Sequence, residues 1–197
     1  MNLKEVASVR TGLVLSRKKA SLYDEIKKTY KKMTLKAFSN SISLIHEHLD
    51  QFVANEEIDK GYISRVGDII IRLRYPIRAV YIDTSTEGMI VPSLMCIVRV
   101  INNISLNKEF LAYFLNSTVV KKELQTKIKG TAIQMIRTKD IEDIEIALPP
   151  LDEQVKLVEF LKLSQKEIKV LDDLKMQKQY FANSVLDNII KRSKEVN

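Results

Sequence analysis

The sequence predicts a mixed α/β (α+β) domain followed by one long C-terminal α-helix. Three observations lead there. Residues 1–150 mix short β-type patterns with a helical stripe. Residues 151–197 contain neither Gly nor Pro. Apolar residues in that last segment recur at spacings near three and four. A chain of 197 residues holds one well-cored domain with some length to spare. The division falls at 1–150 for the domain and 151–197 for the helix.

The elements follow in chain order. Met33, Leu35 and Ala37 alternate with polar residues and predict a strand. Gly67–Asp68 reads as a turn into a buried strand over Ile69 to Leu73, interrupted by Pro76. Ala79 to Ile82 predicts another strand before a turn at Gly88, and Ile90 to Val100 is rich in β-branched residues. Pro92 would then sit at an edge or at the strand start. Asn107 or Ser105 can cap a helix carrying Phe110, Leu111, Phe114, Leu115 and Val119, which should end before Gly130. Thr138 can cap a short turn, and Ile144, Ile146 and Leu148 alternate as a last strand.

After Pro149–Pro150, Asp152 and Glu153 suit the positive end of a helix dipole. The stripe then runs through Leu157, Leu161, Ile168, Leu171, Leu174, Phe181, Val185 and Ile189, with polar gaps at Ser164, Lys175 and Lys178. A helix of about 40 residues is about 60 Å long. A domain of this size is roughly 30–35 Å across, so the stripe needs a partner helix, and a coiled coil is expected. The alternative is a hairpin of two shorter helices broken near Asp172–Asp173; the lack of breakers favours the single helix.

Charge is unevenly placed. The net charge is +7. Residues 1–36 and 60–139 carry balances of +7 and +8, and residues 37–59 and 140–197 carry −5 and −3. A basic body suits a polyanion, because each neutralised phosphate releases counterions. No apolar run has the length of a membrane span, and the polar start, Met1 to Arg10, is unlike a secretory signal. A cytoplasmic protein with no membrane partner is expected.

Signals of catalysis are missing. Cys96 is the only cysteine and lies in the apolar run Met95 to Val98, so it reads as a buried thiol. His46 and His48 have no metal-ligand spacing around them, and Glu56, Glu57 and Asp59 read as a solvated loop. No glycine-rich phosphate loop is present. Leu148–Pro149–Pro150–Leu151 lacks the amide or carboxylate and the aromatic ring of the amino-methyltransferase motif. No catalytic residue, metal or cofactor is expected on this chain.

Three cationic sets suit double-stranded DNA. Arg17, Lys18 and Lys19 follow a glycine-containing segment. Arg72, Arg74 and Arg78 surround Pro76. Residues 127–139 combine Lys129, Thr131, Gln134, Arg137 and Lys139 with Gly130. Gln can pair with adenine and Arg with guanine in the major groove, while Lys and Thr hold phosphates. Each set taken alone is also compatible with a charged loop or sheet face.

Four motifs recur in a familiar order. Gly67–Asp68–Ile69–Ile70 is followed by the helix Phe110–Leu111–Ala112–Tyr113–Phe114–Leu115–Asn116–Ser117. Then come the loop Gly130–Thr131–Ala132–Ile133–Gln134 and the junction Ile144–Glu145–Ile146–Ala147–Leu148–Pro149–Pro150–Leu151–Asp152–Glu153–Gln154. Together these resemble the specificity subunits of Type I restriction–modification systems, over residues 3 to 190. The resemblance implies that residues 1–150 are a DNA target recognition domain and 151–197 a spacer helix. In that family, long helices pack antiparallel as a ruler between two recognition domains. They dock modification subunits, which bind S-adenosylmethionine and methylate adenine, and restriction subunits can join. The departure is length: one domain and one helix stand where the family has two of each. A homodimer through Leu157, Leu161, Ile168, Leu171, Phe181 and Val185, reading an inverted-repeat site, would restore the full set. A truncated remnant, a mimic that only binds the modification subunit, and a stand-alone nuclease are the alternatives.

Overall fold

The computed structural model describes residues 1–21, 28–101, 105–128 and 135–195, with side chains up to residue 192. The chain forms two compact units, Met1–Val155 and Lys156–Asn197.

The first unit is built on a four-stranded antiparallel sheet. Its strands are β1 (Ala7–Thr11), β4 (Ile69–Arg72), β5 (Ala79–Tyr81) and β6 (Met95–Val100), in the order β1-β6-β4-β5. Ile69, Ile70 and Ile71 are all buried. A continuous apolar run suits a strand covered on both faces. Ile70 lies in a cluster with Met33, Phe38, Val80, Met89 and Ile97. A short helix α1 (Leu3–Val6) precedes β1, and α2 (Lys108–Leu115) contacts β4 and β5. A smaller hairpin-like pair, β2 (Lys28–Lys32) and β3 (Asp50–Ala54), buries Tyr30 and Phe52 with Leu13 and Ile58.

Several sequence expectations shift. The strand expected at Met33–Ala37 lies earlier, at β2; Leu35–Ala37 is a single 3-10 turn. Met33, just after β2, and Ala37, at the end of the turn, are both fully buried, so a strand end followed by a turn aims these side chains inward as a continuous strand would. The run Ile90–Val100 is strand only from Met95, because Met95 N–H bonds Pro92 O at 2.9 Å and closes a turn. The expected single helix is two, α2 and α3 (Thr118–Ile128). Asn116 separates them: its amide donates to Ala79 O at 2.6 Å and its oxygen accepts from Ala79 N at 3.1 Å. That residue completes the edge of β5 instead of continuing the helix. Val119 is consequently exposed and Val120 buried.

Asn107 caps α2 as expected, accepting from Glu109 N and Phe110 N. The short helix α4 (Thr138–Glu142) takes Thr138 as its first residue rather than its cap. Ile144 and Ile146 are buried and Glu145 is exposed, but the segment forms only a bridge to Asn2. Met1 and Leu3 supply its partners through Ile146 N–Met1 O at 2.7 Å and Leu3 N–Ile144 O at 2.8 Å.

The last element, α5 (Leu151–Glu195), is continuous over 45 residues, about 67 Å at 1.5 Å per residue. The hairpin alternative is excluded. Its first turn is fastened by Gln154, which is fully buried: Oε1 accepts from Asn107 N at 2.8 Å, and Nε2 donates to Pro149 O at 2.8 Å and Ser105 O at 3.2 Å. No described helix is long and apolar enough to cross a membrane.

Candidate nucleic-acid interface

The sheet register decides which loops meet. Thr11 and Ile71 both pair with Cys96, Arg72 pairs with Met95, and Ile71 pairs with Ala79. The end of β1, the start of β6, the end of β4 and the start of β5 therefore share one end of the sheet. The Arg72–Arg78 loop leaves from this end. Residues 135–136 join it: Arg74 bridges Met135, and Ile136 N–H bonds Leu73 O at 2.9 Å. Two cationic sets some sixty residues apart in sequence are thus brought together.

The members of these sets are not equivalent. Arg72 points its guanidinium at the backbone. Nε donates to Arg74 O at 3.0 Å, Nη1 to Leu35 O at 3.2 Å and Nη2 to Tyr75 O at 3.2 Å. Burial, then the neighbouring Arg74 and Arg78 charges, pull its pKa below the ordinary value. Arg72 shapes the loop and leaves Arg74 exposed and Arg78 half-buried on it.

Arg137 is exposed but held. Asp140, on α4, accepts from Arg137 N at 2.9 Å, Nε at 3.2 Å and Nη2 at 3.0 Å. The Arg137 hydrogen bond holds the Asp140 carboxyl below the usual carboxylate range. The Arg137 side chain stays 79% exposed, so one edge of the guanidinium is fixed and the other is free to donate. Lys139 is exposed beside it. Lys129, Thr131 and Gln134 lie outside the described residues.

The set at residues 17–19 is positioned by the smaller sheet. Lys19 bridges Ala54, Asn55 N–H bonds Lys18 O at 3.0 Å, and Lys18 pairs with Glu56. Arg17 and Lys19 are exposed, with no ion-pair partner among the described residues.

On α5, Leu157, Ile168, Leu171, Phe181 and Val185 are exposed, and Leu161 is half-buried. Phe160, Leu163, Val170 and Leu174 are also exposed. Cys96 is fully buried, and burial pushes its thiol pKa up, against any role as a nucleophile. His46 and His48 sit on one exposed 3-10 turn, with His48 Nδ1 at 3.0 Å from Lys36 O. Among the described residues no group of three or more His, Cys, Asp or Glu could hold a metal.

Sequence reasoning missed Lys121 and Gln125 on α3 and Tyr75 on the loop, which line one cavity with Arg78. The adjacent pair Lys121–Lys122 was the available signal. The clamp by Gln154 was also missed, although the residue ends the junction motif.

The described residues thus form an α/β unit with exposed cationic side chains at one end of its sheet and a long helix whose apolar side chains are largely exposed. Solved structures share this fold. One chain, from a structure of complex assembly and conformational transition of the type I R-M system, superposes with a TM-score of 0.68 at 18% identity, over 91% of this chain and 45% of that one. The HsdS subunit from Thermoanaerobacter tengcongensis superposes with a TM-score of 0.55 at 18% identity, over 87% of this chain and 38% of that one. The MjaX protein of Methanocaldococcus jannaschii, assigned as a type I restriction enzyme specificity subunit, is 34% identical over 112 residues, 54% of this chain and 22% of that protein. This chain thus spans less than half the length of each. Residues 1–175 match the Type I restriction modification DNA specificity domain, and the chain belongs to that family, which is non-catalytic.

Proposed function

We propose that this chain is the DNA-reading specificity component of a Type I restriction–modification complex, working as a pair of half-length subunits. The observation that carries the reading is the convergence of the 72–78 and 135–139 segments at one sheet end. There Arg74, Arg137 and Lys139 are exposed donors, and Arg72 and Asp140 fix the loop and one guanidinium. Pre-oriented guanidinium groups suit bidentate contacts to guanine and phosphate. In this reading residues 1–150 are the target recognition domain and residues 151–197 the dimerisation and spacer helix. Lys129, Thr131 and Gln134 would add contacts from the same loop.

The second copy is supported by the helix sequence. Positions 157, 161, 164, 168, 171, 175, 178, 182, 185 and 189 recur alternately at four and three, the spacing of a coiled-coil seam. Two such seams set antiparallel about residue 173 place Leu157 against Ile189, Leu161 against Val185 and Ser164 against Ala182. Ile168 and Leu171 then meet the stems of Lys178 and Lys175, whose ammonium groups lie near Asp172 and Asp173 of the other copy. A parallel in-register pair would instead stack Lys175 on Lys175 and Lys178 on Lys178. Phe181, grouped with the dimer residues on sequence, is off this seam and falls on a neighbouring stripe with Phe160, Leu163, Val170 and Leu174. That stripe is the surface offered to modification subunits, which would carry S-adenosylmethionine; restriction subunits would join through them.

The test is co-expression with the neighbouring modification subunit, followed by genome-wide mapping of adenine methylation. A palindromic split motif is expected from two identical copies. An asymmetric split motif would replace the homodimer by pairing with a different recognition domain. No new methylation, with both proteins soluble and bound to each other, would overturn the reading in favour of a remnant or a titrating mimic.

A further inference from the structure

The loop at Pro76 and the first turns of α3 enclose a cavity of about 200 Å³ lined by Tyr75, Pro76, Ile77, Arg78, Lys121 and Gln125. Its charges are all of one sign. Lys121 and Arg78 are both half-buried, and neither has an ion-pair partner among the described residues. Burial and then the Arg78 charge lower the Lys121 pKa, so the two cations sit close enough to repel. Arg74 and Arg78 repel Arg72 in turn. Like charges crowded on a partly desolvated wall destabilise the empty site, and an anion placed among them relieves the cost. The cavity is smaller than the usual range of roughly 300–1,000 Å³ for small-molecule sites, which suits a single small anion. Gln125 and Tyr75 add neutral side-chain donors to the two cations.

The source of that anion follows from position. The cavity is lined by residues of the Arg72–Arg78 loop, and Arg74 of that loop bridges Met135, next to exposed Arg137. A phosphate held here would belong to a strand whose bases lie beside the same loop. We propose that the pocket between the Pro76 loop and α3 seats one backbone phosphate of the bound DNA, with Arg78 and Lys121 as its two cationic donors. The assignment rests on the DNA-reading function above and adds a register-setting contact from α3, an element with no assigned role.

The test measures duplex affinity against salt for the full chain assembled with its modification subunit. Lys121→Gln and Arg78→Gln are each compared with Lys122→Gln, a neighbour outside the cavity. Each pocket variant should weaken specific and nonspecific duplexes by the same factor and reduce the slope of log K against log salt by about 0.9. Lys121→Arg should restore the slope, and Lys122→Gln should leave it nearly unchanged. Wild-type binding with unaltered slopes in both pocket variants would overturn the phosphate seat alone. So would an equal loss from Lys122→Gln, which would mean diffuse surface charge. Competition by millimolar inorganic phosphate at constant ionic strength, with DNA binding unaffected in Lys121→Gln, would reassign the pocket to a free anion. A wild-type complex that binds no duplex would overturn the function itself. Matching melting temperatures across the variants separate lost contacts from lost folding.

Discussion

The two units of this chain use apolar residues in opposite ways. In Met1–Val155 the apolar side chains of β4, β5 and β6 are sealed into cores, and the exposed features are charged loops. In Lys156–Asn197 the repeated Leu, Ile, Val and Phe residues of α5 are largely exposed. The first unit buries its apolar pattern within itself, whereas the second leaves most of its apolar pattern exposed, as the proposed pairing of two copies requires. Burial within one chain produces stability; the same residue types left exposed at helical spacing produce association.

Substitutions can break or sharpen that contrast. The largest effect is expected at Ile70, fully buried in the sheet. Ile70→Ala should cost about 2–5 kcal/mol in chemical denaturation, from lost transfer energy and the cavity left behind. Gln154→Leu comes next. It strands the Asn107 N–H and the Ser105 and Pro149 carbonyls. A loss of about 1–3 kcal/mol is expected from unpaired buried groups, with faster amide exchange at Asn107. Ile168→Ala and Leu171→Ala, each 56% exposed, should change unfolding of the dilute monomer by no more than about 0.5 kcal/mol. The same pair should weaken self-association in sedimentation experiments. If they destabilise the dilute monomer as Ile70→Ala does, the contrast between the units fails.

The smallest effect is acid-dependent. Asp140 has a lowered pKa in the folded chain through Arg137, relative to an ordinary 3.8. Its contribution is therefore complete above that ordinary value and disappears as pH falls through the lower folded one. Melting curves of wild type and Asp140→Asn should differ by a constant gap near neutral pH, and that gap should close only below pH 3.8. A gap that closes between pH 5 and 7 would contradict the assignment.

Reading the sequence located some elements well and others poorly. The Ile69–Ile71 run, the Asn107 cap and the unbroken helix after Pro150 were legible because each depends on local chemistry: β-branched runs, a short acceptor before a helix, and missing breakers. The strand near Met33 was misplaced because alternation over five residues fits a turn equally well. The break at Asn116 was invisible because its cause is Ala79, on a strand 37 residues away. The cationic sets were visible as clusters but not as roles.

By itself, the sequence determined where charge, helix and buried strand occur, since these follow from residue type and near-neighbour spacing. Only the tertiary structure decided which cations are available. Arg72 is engaged by a carbonyl 37 residues away and Lys18 by a carboxylate 38 residues away, while Arg137 is held by nearby Asp140 along one edge and stays exposed along the other. Arg74, Arg78 and Lys121 are left without such partners among the described residues. A side chain's charge belongs to its own residue, but whether that charge is neutralised depends on which distant groups the fold brings within hydrogen-bond range.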